Sequence, residues 1–539
     1  MAAAAAPASA IARATRTKPN KWVVTISVTF GTLMGAIDSS IVNVALPHIR
    51  GTVGATIQEI TWISTSFVVA TVLVMPLTGF FARMFGQKQV YMFCLVLFLL
   101  GSALCGTAHS LPQLVAYRAL QGFGAGALQP TEQAILRQTF PPKEQGMAMA
   151  LFAMAVMLGP AIGPTLGGYI VDHYDWPWIF YINLPIGALG LFMVYTFVHE
   201  DEEIRAQNRV IYEKQRRHMD WLGIALLVVG LCAMQYFLEE GASRDWFDDA
   251  AITVSCIVGA LAIGGFVWRE LVAPAPIVDL SLFRDPVFLS GTMIGALMFA
   301  MLMANMFLLP IFMQEILGFN ATQAGWALMP RVVVMMLVTP IVGKLYNLVS
   351  ARVIIAFGVF MFGIGAWQMS KFTLATGSGD IVAAIAIQGV GFACLFVPLT
   401  TVALASIPRH RMTDATGLNS LLRQIGGSIG LAVFATLLGR FAVQAQYGVS
   451  AHVGATDPAT WSRVRAMEQA FVAKGMNAIA AHEAALRALA GTVARQSMVL
   501  SFEKIFLLAG ILFLAVLPML LFLKTKDAGG EVAEVHLDA

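Results

Sequence analysis

Residues 22–46 read WVVTISVTFGTLMGAIDSSIVNVAL, and Asp38 is the one ionisable side chain in this stretch. A helix rises about 1.5 Å per residue, so roughly 20 apolar residues are enough to cross the hydrocarbon core of a bilayer. The stretch meets that length and is almost wholly apolar. It therefore predicts a membrane-spanning helix, in which Asp38 is a costly residue that needs an explanation.

The same pattern recurs along the chain. The candidate spans are 22–46, 60–81, 89–108, 113–136, 146–170, 178–198, 221–238, 250–268, 287–313, 324–346, 353–370, 381–405, 416–442 and 499–523. The chain is 58% hydrophobic and 12% charged, with a mean hydropathy of +0.75, whereas a soluble domain is about 25% charged. The net charge is only +3 and forms no basic stripe, which argues against nucleic-acid binding. We predict an all-α polytopic membrane protein with fourteen transmembrane helices.

The positions of Lys and Arg predict the orientation of the chain. Most of these residues fall in loops on one side of the predicted membrane, and the short loops on the other side hold only Arg50, Arg244 and Lys371. Since positive loops stay in the cytoplasm, we expect both termini to be cytoplasmic. Residues 1–21 lack the apolar core of a signal peptide, and we expect a cytoplasmic tail there.

Cysteine and histidine give no sign of metal or redox chemistry. The five cysteines lie in apolar runs without CxxC spacing, and the nine histidines lie in loops, at span ends or near the C-terminus. We expect packing cysteines, no metal and no cofactor. The chain also lacks a P-loop, so ATP is not expected to drive this protein directly.

The ionisable residues within predicted spans include Asp38, Arg118 and Glu132, beside Arg331 and Arg423. A charge at mid-bilayer costs about 2.5–3.5 kcal/mol on insertion scales, so each needs a partner, water or a proton. Arg118 and Glu132 lie on one predicted helix, about 21 Å apart, and cannot pair, so Asp38 is the predicted partner of Arg118. A carboxyl influenced by both burial and a nearby arginine can bind and release protons. Asp38, Glu132 and Arg118 are the predicted proton-coupling group; the alternative is a fixed ion pair that only orients helices.

Other polar and flexible side chains within the spans are candidates for a substrate cavity. They are Asn43, Gln129, Asn305, Phe307, Arg331, Met335, Gln388, Asn419 and Arg423. The chain contains 28 Met and 35 Phe, and polarisable Met suits promiscuous binding surfaces. Any single Met can instead be core or lipid-facing, and Arg331 can line the cavity or extend towards the membrane surface.

The predicted fifth span contains the run GPAIGPTLGG at 159–168. Its small residues and prolines are Gly159, Pro160, Gly163, Pro164, Gly167 and Gly168. Proline removes a backbone hydrogen bond, and glycine lets a neighbouring helix approach closely. The run predicts a bent helix with a close neighbour, although such glycines are usually packing residues.

Several motifs together resemble one known family. They are DSSIVNVALP at 38–47, RALQGFGAG at 118–126, the run at 159–168, WIFYINLPIG at 178–187, IVDLSLF at 277–283 and RQIGGSIG at 423–430. They are similar to motifs of the major facilitator superfamily and, within it, of the fourteen-span drug:proton antiporters of the EmrB/QacA type. The run at 159–168 looks like that superfamily's antiporter motif. The resemblance covers nearly the whole chain.

One motif departs from the superfamily pattern. The loop between helices two and three runs G-x-L-A-D-R-x-G-R-K in the superfamily, whereas residues 79–88 here read GFFARMFGQK. The resemblance marks Gly79, Arg83, Gly86 and Lys88 as a cytoplasmic gating loop. Arg83 takes the position of the acid that helps to latch the two halves. Arg83 is therefore expected to meet an acidic partner or a helix C-terminus of the other half.

The resemblance also implies a domain organisation with alternating access. Cytoplasmic tails at 1–21 and 524–539 would flank the membrane domain. Six-helix bundles at 22–198 and 271–523 would enclose a charged loop and two inserted helices at 199–270. The two bundles would rock around a site near the midplane.

The implied function is proton-coupled export of amphipathic drugs across a bacterial inner membrane by a secondary transporter, not an enzyme. One alternative is an exporter of a single narrow substrate such as a fatty acid. Another is a proton-coupled solute symporter, but fourteen-span peptide symporters usually carry ExxER in the first helix, where this chain has GAID at 35–38. A membrane enzyme or receptor would need catalytic groups clustered at one membrane face, and the sequence offers none.

Residues 443–498 form the one long segment predicted outside the membrane. Trp461, Val464 and Met467 recur at helical spacing, and so do Leu486, Leu489 and Val493, which predicts two short helices. They would either cap the protein or dock a periplasmic partner. The resemblance implies a membrane-fusion adaptor and an outer-membrane channel as possible partners, beside the small substrate and the lipid bilayer. No nucleic-acid partner is expected.

Overall fold

The computed structural model describes residues 20–200, 202–216, 220–273, 276–454 and 457–521. Within these ranges the chain is helical and contains no β-strand. Residues 1–19 and 524–539 of the predicted tails, and part of the predicted charged loop, lie outside the described residues.

The helices fall into three groups along the chain. The first group is α1 Lys21–Val53, α2 Ile57–Ile60, α3 Trp62–Val74, α4 Thr78–Phe85, α5 Gln87–Gly106, α6 Leu111–Gly126, α7 Leu128–Thr139, α8 Gln145–His173, α9 Trp178–Tyr181 and α10 Asn183–Phe197. The middle group is α11 Glu202–Arg216, α12 Trp221–Glu240 and α13 Ala250–Val272. The last group is α14 Pro286–Ile311, α15 Ala321–Leu345, α16 Ala351–Met369, α17 Ser378–Ala403, α18 Met412–Ser450, α19 Pro458–Ala473 and α20 Ala478–Leu514. A π-helical turn, Phe312–Ile316, continues α14.

Twelve helical segments among the described residues are long and apolar enough to cross a membrane, and a thirteenth forms if α3 and α4 are one span bent by 56°. That bend falls at Pro76, which cannot donate a backbone hydrogen bond. The span predicted at 113–136 consists of α6 and α7, which meet at Ala127. Pro130 in the first turn of α7 explains the interruption in the same way. Fourteen spans with both termini in the cytoplasm stay a prediction.

Glycine allows α1 and α8 to pack closely along their length. A Cβ added to Gly159 would lie 2.8 Å from the Cα of Ala36, and one added to Gly163 would lie 2.8 Å from the Cβ of Ser40. Real Cβ atoms do not approach so closely. Gly168 has nothing within 4 Å of its added Cβ. Most of the glycine run therefore packs against α1, and α8 remains helical throughout.

Close packing at glycine also joins helices of the last group. Gly426 and Gly430 of α18 lie against the backbone of α14, so that added Cβ atoms would lie 2.9 Å from the carbonyl carbon of Ala296 and 2.6 Å from the Cα of Ala300. Helix α17 is buried along most of its length. It packs against α15 and α16 on one side and reaches α8 of the first group on another.

The first inserted helix, α12, contacts both halves of the molecule. The Tyr236 ring stacks on Trp62 of α3 with centroids 5.6 Å apart. The Gln235 amide donates to the Ser428 hydroxyl of α18 at 2.7 Å. The insertion therefore lies alongside the region where α3 and α18 meet.

The segment outside the predicted membrane differs from the expectation of two short helices. Helix α19 supplies the first, but the second is the N-terminal part of α20, which runs unbroken into the last predicted span. Val464, Ala481 and Ala485 are the buried residues of this hairpin, whereas Leu486 is 43% exposed. The prediction of a separate second helix was wrong because nothing in its sequence marks where the membrane begins.

All five cysteines are free, and Cys94, Cys105 and Cys394 are buried. Their predicted role as apolar packing residues is confirmed at these three positions.

Candidate transport site

Asp38 and Arg118 form a buried ion pair inside the first half. An Arg118 amino group (Nη1) donates to Asp38 Oδ2 at 2.6 Å, and the two residues are 0% and 1% exposed. The Arg118 Nε donates to the carbonyl of Ile63 at 3.2 Å, and the Phe67 ring lies under the guanidinium at 4.2 Å. The expected contact between Asp38 and Arg118 is therefore present, with the guanidinium held from several directions.

Two amides complete the shell around Asp38. The side chains of Gln121 and Asn183 donate to Asp38 Oδ1 at 2.8 and 2.9 Å. Asn183 also donates to the Ser102 hydroxyl at 3.0 Å. Both carboxylate oxygens thus accept hydrogen bonds from α6 or α10, which compensates for the removal of the charge from water.

Glu132 lies in different surroundings. It is 0% exposed, and its carboxylate accepts from the Thr29 hydroxyl at 3.0 Å. The Thr32 hydroxyl also faces it. Among the described residues no Lys, Arg or His forms an ion pair with this carboxylate. The two carboxyls of the first half therefore differ in whether an arginine accompanies them.

One face of α1 connects Glu132 to an open region. Thr29, Thr32, Ser39 and Asn43 recur at spacings of three, four or seven residues and share a face of the helix. Thr32 is buried, whereas Ser39 and Asn43 are exposed. Asn43 accepts from the Ser64 hydroxyl of α3 at 3.0 Å. Glu132 therefore faces one side of α1. About two turns further from the predicted cytoplasm, the residues on that same side are exposed.

The second half brings three predicted cavity residues together. One amino group (Nη2) of Arg331 donates to Asn305 Oδ1 at 2.6 Å and to Gln388 Oε1 at 3.2 Å. The Phe392 ring centre lies 5.9 Å from the guanidinium carbon. Arg331 is 6% exposed, so it faces the interior of the second half and does not extend to the membrane surface.

Arg423 and Asn419 line a small cavity between α14, α17 and α18. Its other lining residues are Gly291, Gly295, Met298, Leu399 and Thr400. The Arg423 guanidinium carbon lies 4.3 Å from the Phe396 ring centre and 5.3 Å from that of Phe299. Phe396 in turn meets Phe152 of α8 at 6.1 Å. The cavity is therefore close to the boundary between the two halves.

The remaining predicted cavity residues are not part of these clusters. Gln129 and Phe307 are half-buried, and Met335 is buried in the apolar core. Met335 therefore matches the alternative of a packing residue.

Arg83 of the gating loop meets an acid of the other half. Its guanidinium pairs with Asp414 in the first turn of α18, and it also donates to the carbonyl of Ile277 at 3.1 Å. Both side chains are 6% exposed. The Gln87 amide donates to the Thr413 hydroxyl at 2.7 Å beside them. Of the two partners expected for Arg83, the acidic one is present, and the halves are in contact on the predicted cytoplasmic side.

The other gating-loop residues support this contact or lie beside it. A Cβ on Gly79 would lie 2.9 Å from the Cα of Asp414, and Gly86 has a φ of 93° that glycine adopts without strain. Lys88 instead donates to the carbonyl of Tyr195 at 2.7 Å, within its own half.

A backbone amide links this latch to the inserted helices. Ile277 accepts from Arg83 through its carbonyl, and its N–H donates to Glu270 of α13 at 3.3 Å.

Sequence reasoning missed three polar residues of these clusters and a fourth buried polar residue of the predicted fourth span. Gln121 and Asn183 hold Asp38, and Asp414 holds Arg83. Gln133 is 0% exposed and its amide atoms have no hydrogen-bond partner in the structure. Gln121, Asn183 and Gln133 are uncharged, but each lies within a predicted span, which was the available signal. Asp414 lies just before one and looked like a loop residue.

The family model described as Major Facilitator Superfamily matches residues 28–431. The chain belongs to the major facilitator superfamily. The multidrug export protein EmrB of Escherichia coli (strain K12) is 32% identical over 516 residues, which cover 95% of this chain and 98% of that protein. The fatty acid resistance protein FarB of Neisseria gonorrhoeae is 31% identical over 509 residues, which cover 94% and 97%.

Solved structures show the same major facilitator fold. The proton:xylose symporter XylE aligns with a TM-score of 0.54 at 14% identity, over 94% of this chain and 97% of that one. At that identity the likeness concerns the fold alone. The predicted all-α major facilitator fold and the predicted EmrB-type family are confirmed. This major facilitator protein is a multi-pass protein of a bacterial inner membrane, and its family and fold are those of a transporter rather than of an enzyme.

Proposed function

We propose that this protein is a proton-coupled antiporter that exports amphipathic compounds from the cytoplasm by alternating access. The observation that carries the proposal is the contrast between Asp38, which Arg118 holds, and Glu132, which meets Thr29 of α1 and pairs with no cation among the described residues. An isolated buried carboxylate is costly, so Glu132 is the residue assigned to carry the proton.

Asp38 and Arg118 have a positioning role in this scheme. Their ion pair ties α1 to α6, and Glu132 lies on α7, which follows α6 directly. A change in the pair would move Thr29 and Thr32 relative to Glu132. The names of two relatives, a multidrug export protein and a fatty acid resistance protein, support export as the direction of transport.

A periplasmic adaptor is part of the proposal for the cell. Met476 and Ile479 at the turn between α19 and α20 are 44% and 78% exposed. Exposed apolar residues at the tip of a hairpin suit the docking of such a partner. The antiport reaction itself needs only this chain and the membrane.

The test uses the purified full chain in proteoliposomes that contain a trapped pH-sensitive dye. Addition of amphipathic compounds to the wild type should move protons, and Glu132→Gln should abolish that movement while substrate–substrate exchange continues. Asp38→Asn should weaken both reactions, because it disturbs the helix positions. Glu483→Gln in the external hairpin, at a side chain that is 64% exposed, is the matched control. Normal proton movement in Glu132→Gln would refute the assignment of the proton to Glu132, and normal proton movement in Asp38→Asn as well would refute the positioning role of Asp38.

A further inference from the structure

Arg137, near the end of α7 on the predicted cytoplasmic side, is a buried cation that no acid accompanies. The residue is 4% exposed, and its Nε and Nη1 atoms have no hydrogen-bond partner among the described residues. None of the ion pairs that these residues form includes it. Arg83 and Arg118 are buried as well, but each pairs with an aspartate. The fold therefore removes Arg137 from bulk water without a counter-charge, which costs free energy.

A second polar side chain on the same face of α7 is also unpaired. Gln133 lies one turn before Arg137, and residues four apart share a face of a helix. It is 0% exposed, and neither its amide nitrogen nor its amide oxygen has a partner in the part of the chain that the structure describes. Buried polar groups are rarely left unpaired. This face of α7 therefore carries two side chains that contact with bulk water would stabilise.

Arg137 lies where the cytoplasmic ends of the two halves meet. Its guanidinium interacts electrostatically with Tyr346, which follows α15 in the second half. Beside it, α8 and α15 approach each other closely. A Cβ added to Gly146 would lie 2.7 Å from the carbonyl oxygen of Gly343 and 3.3 Å from the Cβ of Tyr346. The second half therefore helps to bury Arg137, and separation of the halves would expose it.

Two hydrogen bonds join the halves near Arg137 without supplying an acid. The Asn347 amide donates to the carbonyl of Lys143 at 2.7 Å, and the Gln138 amide donates to the carbonyl of Arg409 at 3.1 Å. Both acceptors are backbone carbonyls, and both belong to basic residues. The contact around Arg137, called the second contact below, is therefore held by neutral groups and contains an uncompensated positive charge.

The halves thus meet on the predicted cytoplasmic side through two contacts of opposite electrostatic character. At the latch, Arg83 and Asp414 compensate each other. At the second contact, Arg137 has no such partner among the described residues. Opening of the cytoplasmic side would break the ion pair of the latch but would return a lone cation to water. The latch therefore favours the closed form, and Arg137 opposes it.

We propose that Arg137 destabilises the closed cytoplasmic side and so sets how often the protein opens to the cytoplasm. When α7 and α8 separate from α15, water reaches the guanidinium, and the free energy that its burial costs is regained. Two opposing contributions keep the closed and open forms close in free energy, so that both are populated. The inference rests on the alternating access of the proposed function, but on neither its substrate nor its proton site.

The test measures a distance across the cytoplasmic side by double electron–electron resonance on the full chain in lipid nanodiscs. Spin labels are attached at Gln89→Cys in the first half and Ser406→Cys in the second, two exposed positions on that side. The five native cysteines are replaced by alanine. The pH is fixed and no transported compound is added. The shorter distance reports the closed form, the longer distance reports the open form, and their ratio is the quantity compared among variants.

Variants separate the charge of Arg137 from its volume. Asp414→Asn removes the acid of the latch and should lower the closed-to-open ratio. Arg137→Met added to Asp414→Asn should raise that ratio again by about tenfold, which corresponds to about 1.4 kcal/mol. Arg137→Lys keeps the charge and should change the ratio less than Arg137→Met does. Arg284→Met, at an exposed arginine on the same side, is the matched control and should leave the ratio unchanged.

Four results would overturn the proposal. They are an unchanged or lower closed-to-open ratio after Arg137→Met, an equal rise in Arg137→Lys, an equal rise in Arg284→Met, and a single distance in every variant. Arg137→Gln replaces Arg137→Met if the latter does not fold, because it also removes the charge, and the same rise is expected.

Proton movement in proteoliposomes distinguishes this failure from failure of the proposed function. If Arg137→Met shifts the ratio as expected but amphipathic compounds move no protons in the wild type, the role of Arg137 stands and the proton coupling falls. If the wild type moves protons but Arg137→Met leaves the ratio unchanged, the antiporter stands and the role of Arg137 falls.

Discussion

Arg118 uses its donors entirely within the first half of the molecule. It reaches Asp38, Gln121 and a backbone carbonyl of α3, and an aromatic ring covers one face of its guanidinium. Because its contacts come from several directions, the Arg118 guanidinium is held in one position. A proton on Asp38 would have to disrupt most of this arrangement, whereas a proton on Glu132 would disturb one threonine contact and the facing Thr32 hydroxyl.

Replacement of Arg118 tests how much the pair contributes to stability. Arg118→Ala leaves Asp38 buried without its cation, and breaking a buried pair in this way costs about 3–5 kcal/mol. We expect a lower thermal unfolding temperature of the purified protein. Asp38→Asn added to Arg118→Ala should recover part of the loss, because the remaining group is then neutral. A double variant no more stable than Arg118→Ala would show that the charge of Asp38 is not what the arginine compensates.

The sequence was sufficient to predict the pairing of Asp38 with Arg118. A charge within a span is costly, and few other residues of opposite charge lie within the spans. It was not sufficient to find Gln121 or Asn183. Neutral amides carry no comparable energetic penalty in a span and do not stand out from packing residues. That no described residue forms an ion pair with Arg423 was also beyond prediction, because it depends on which side chains surround the guanidinium in space.

Helices α1 and α8 approach each other at glycines that leave no room for a side chain. The family resemblance pointed to this run, but only the structure distinguishes Gly159, which faces Ala36, from Gly168, which faces open space. A glycine pattern predicts close packing without giving its direction, because the direction depends on which neighbour the helix meets.

These two glycines form a matched pair of tests. Gly159→Ala should push α1 away from α8 and lower the stability by about 1–3 kcal/mol, the usual cost of overpacking. Gly168→Ala should be neutral or slightly stabilising, since alanine favours helix by about 1 kcal/mol over glycine. Thermal unfolding of both variants in the same lipid and detergent measures the difference. Equal effects of the two substitutions would contradict the packing described for α1 and α8.

Helix breaks were harder to predict than helices. Hydropathy identified the spans, but Pro76 and Pro130 divide two of them, and the hairpin outside the predicted membrane shares a continuous helix with the last span. The mean hydropathy of a segment does not show that a proline within it lacks a backbone N–H donor. It also does not show whether a helix ends at the membrane surface or continues beyond it.

Across the whole molecule, a chain of contacts joins the insertion to both halves. Glu270 of α13 holds Ile277, Ile277 holds Arg83 of the first half, and Arg83 holds Asp414 of the second. Helix α12 separately contacts Trp62 and Ser428. If the halves rock against each other, the insertion has to move with them or release one set of contacts.

Removal of the Glu270 side chain tests this chain of contacts. Glu270→Ala leaves the buried N–H group of Ile277 without its acceptor, and an unsatisfied buried donor costs about 1–3 kcal/mol. The purified variant should therefore unfold at a lower temperature than the wild type.

The control for this effect is Glu483→Ala, at an exposed side chain of α20, which should unfold as the wild type does. A Glu270→Ala variant as stable as the wild type would show that the contact between Glu270 and Ile277 contributes nothing to stability.

The reversed polarity of the latch has a consequence for recombination between relatives. In the superfamily pattern the loop carries an acid at this position. Here the loop supplies Arg83 and the other half supplies Asp414. A hybrid of this first half with a second half that has no acid at the position of Asp414 would bury Arg83 without its partner. A functional exchange of halves between relatives therefore requires that Arg83 and Asp414 be exchanged together.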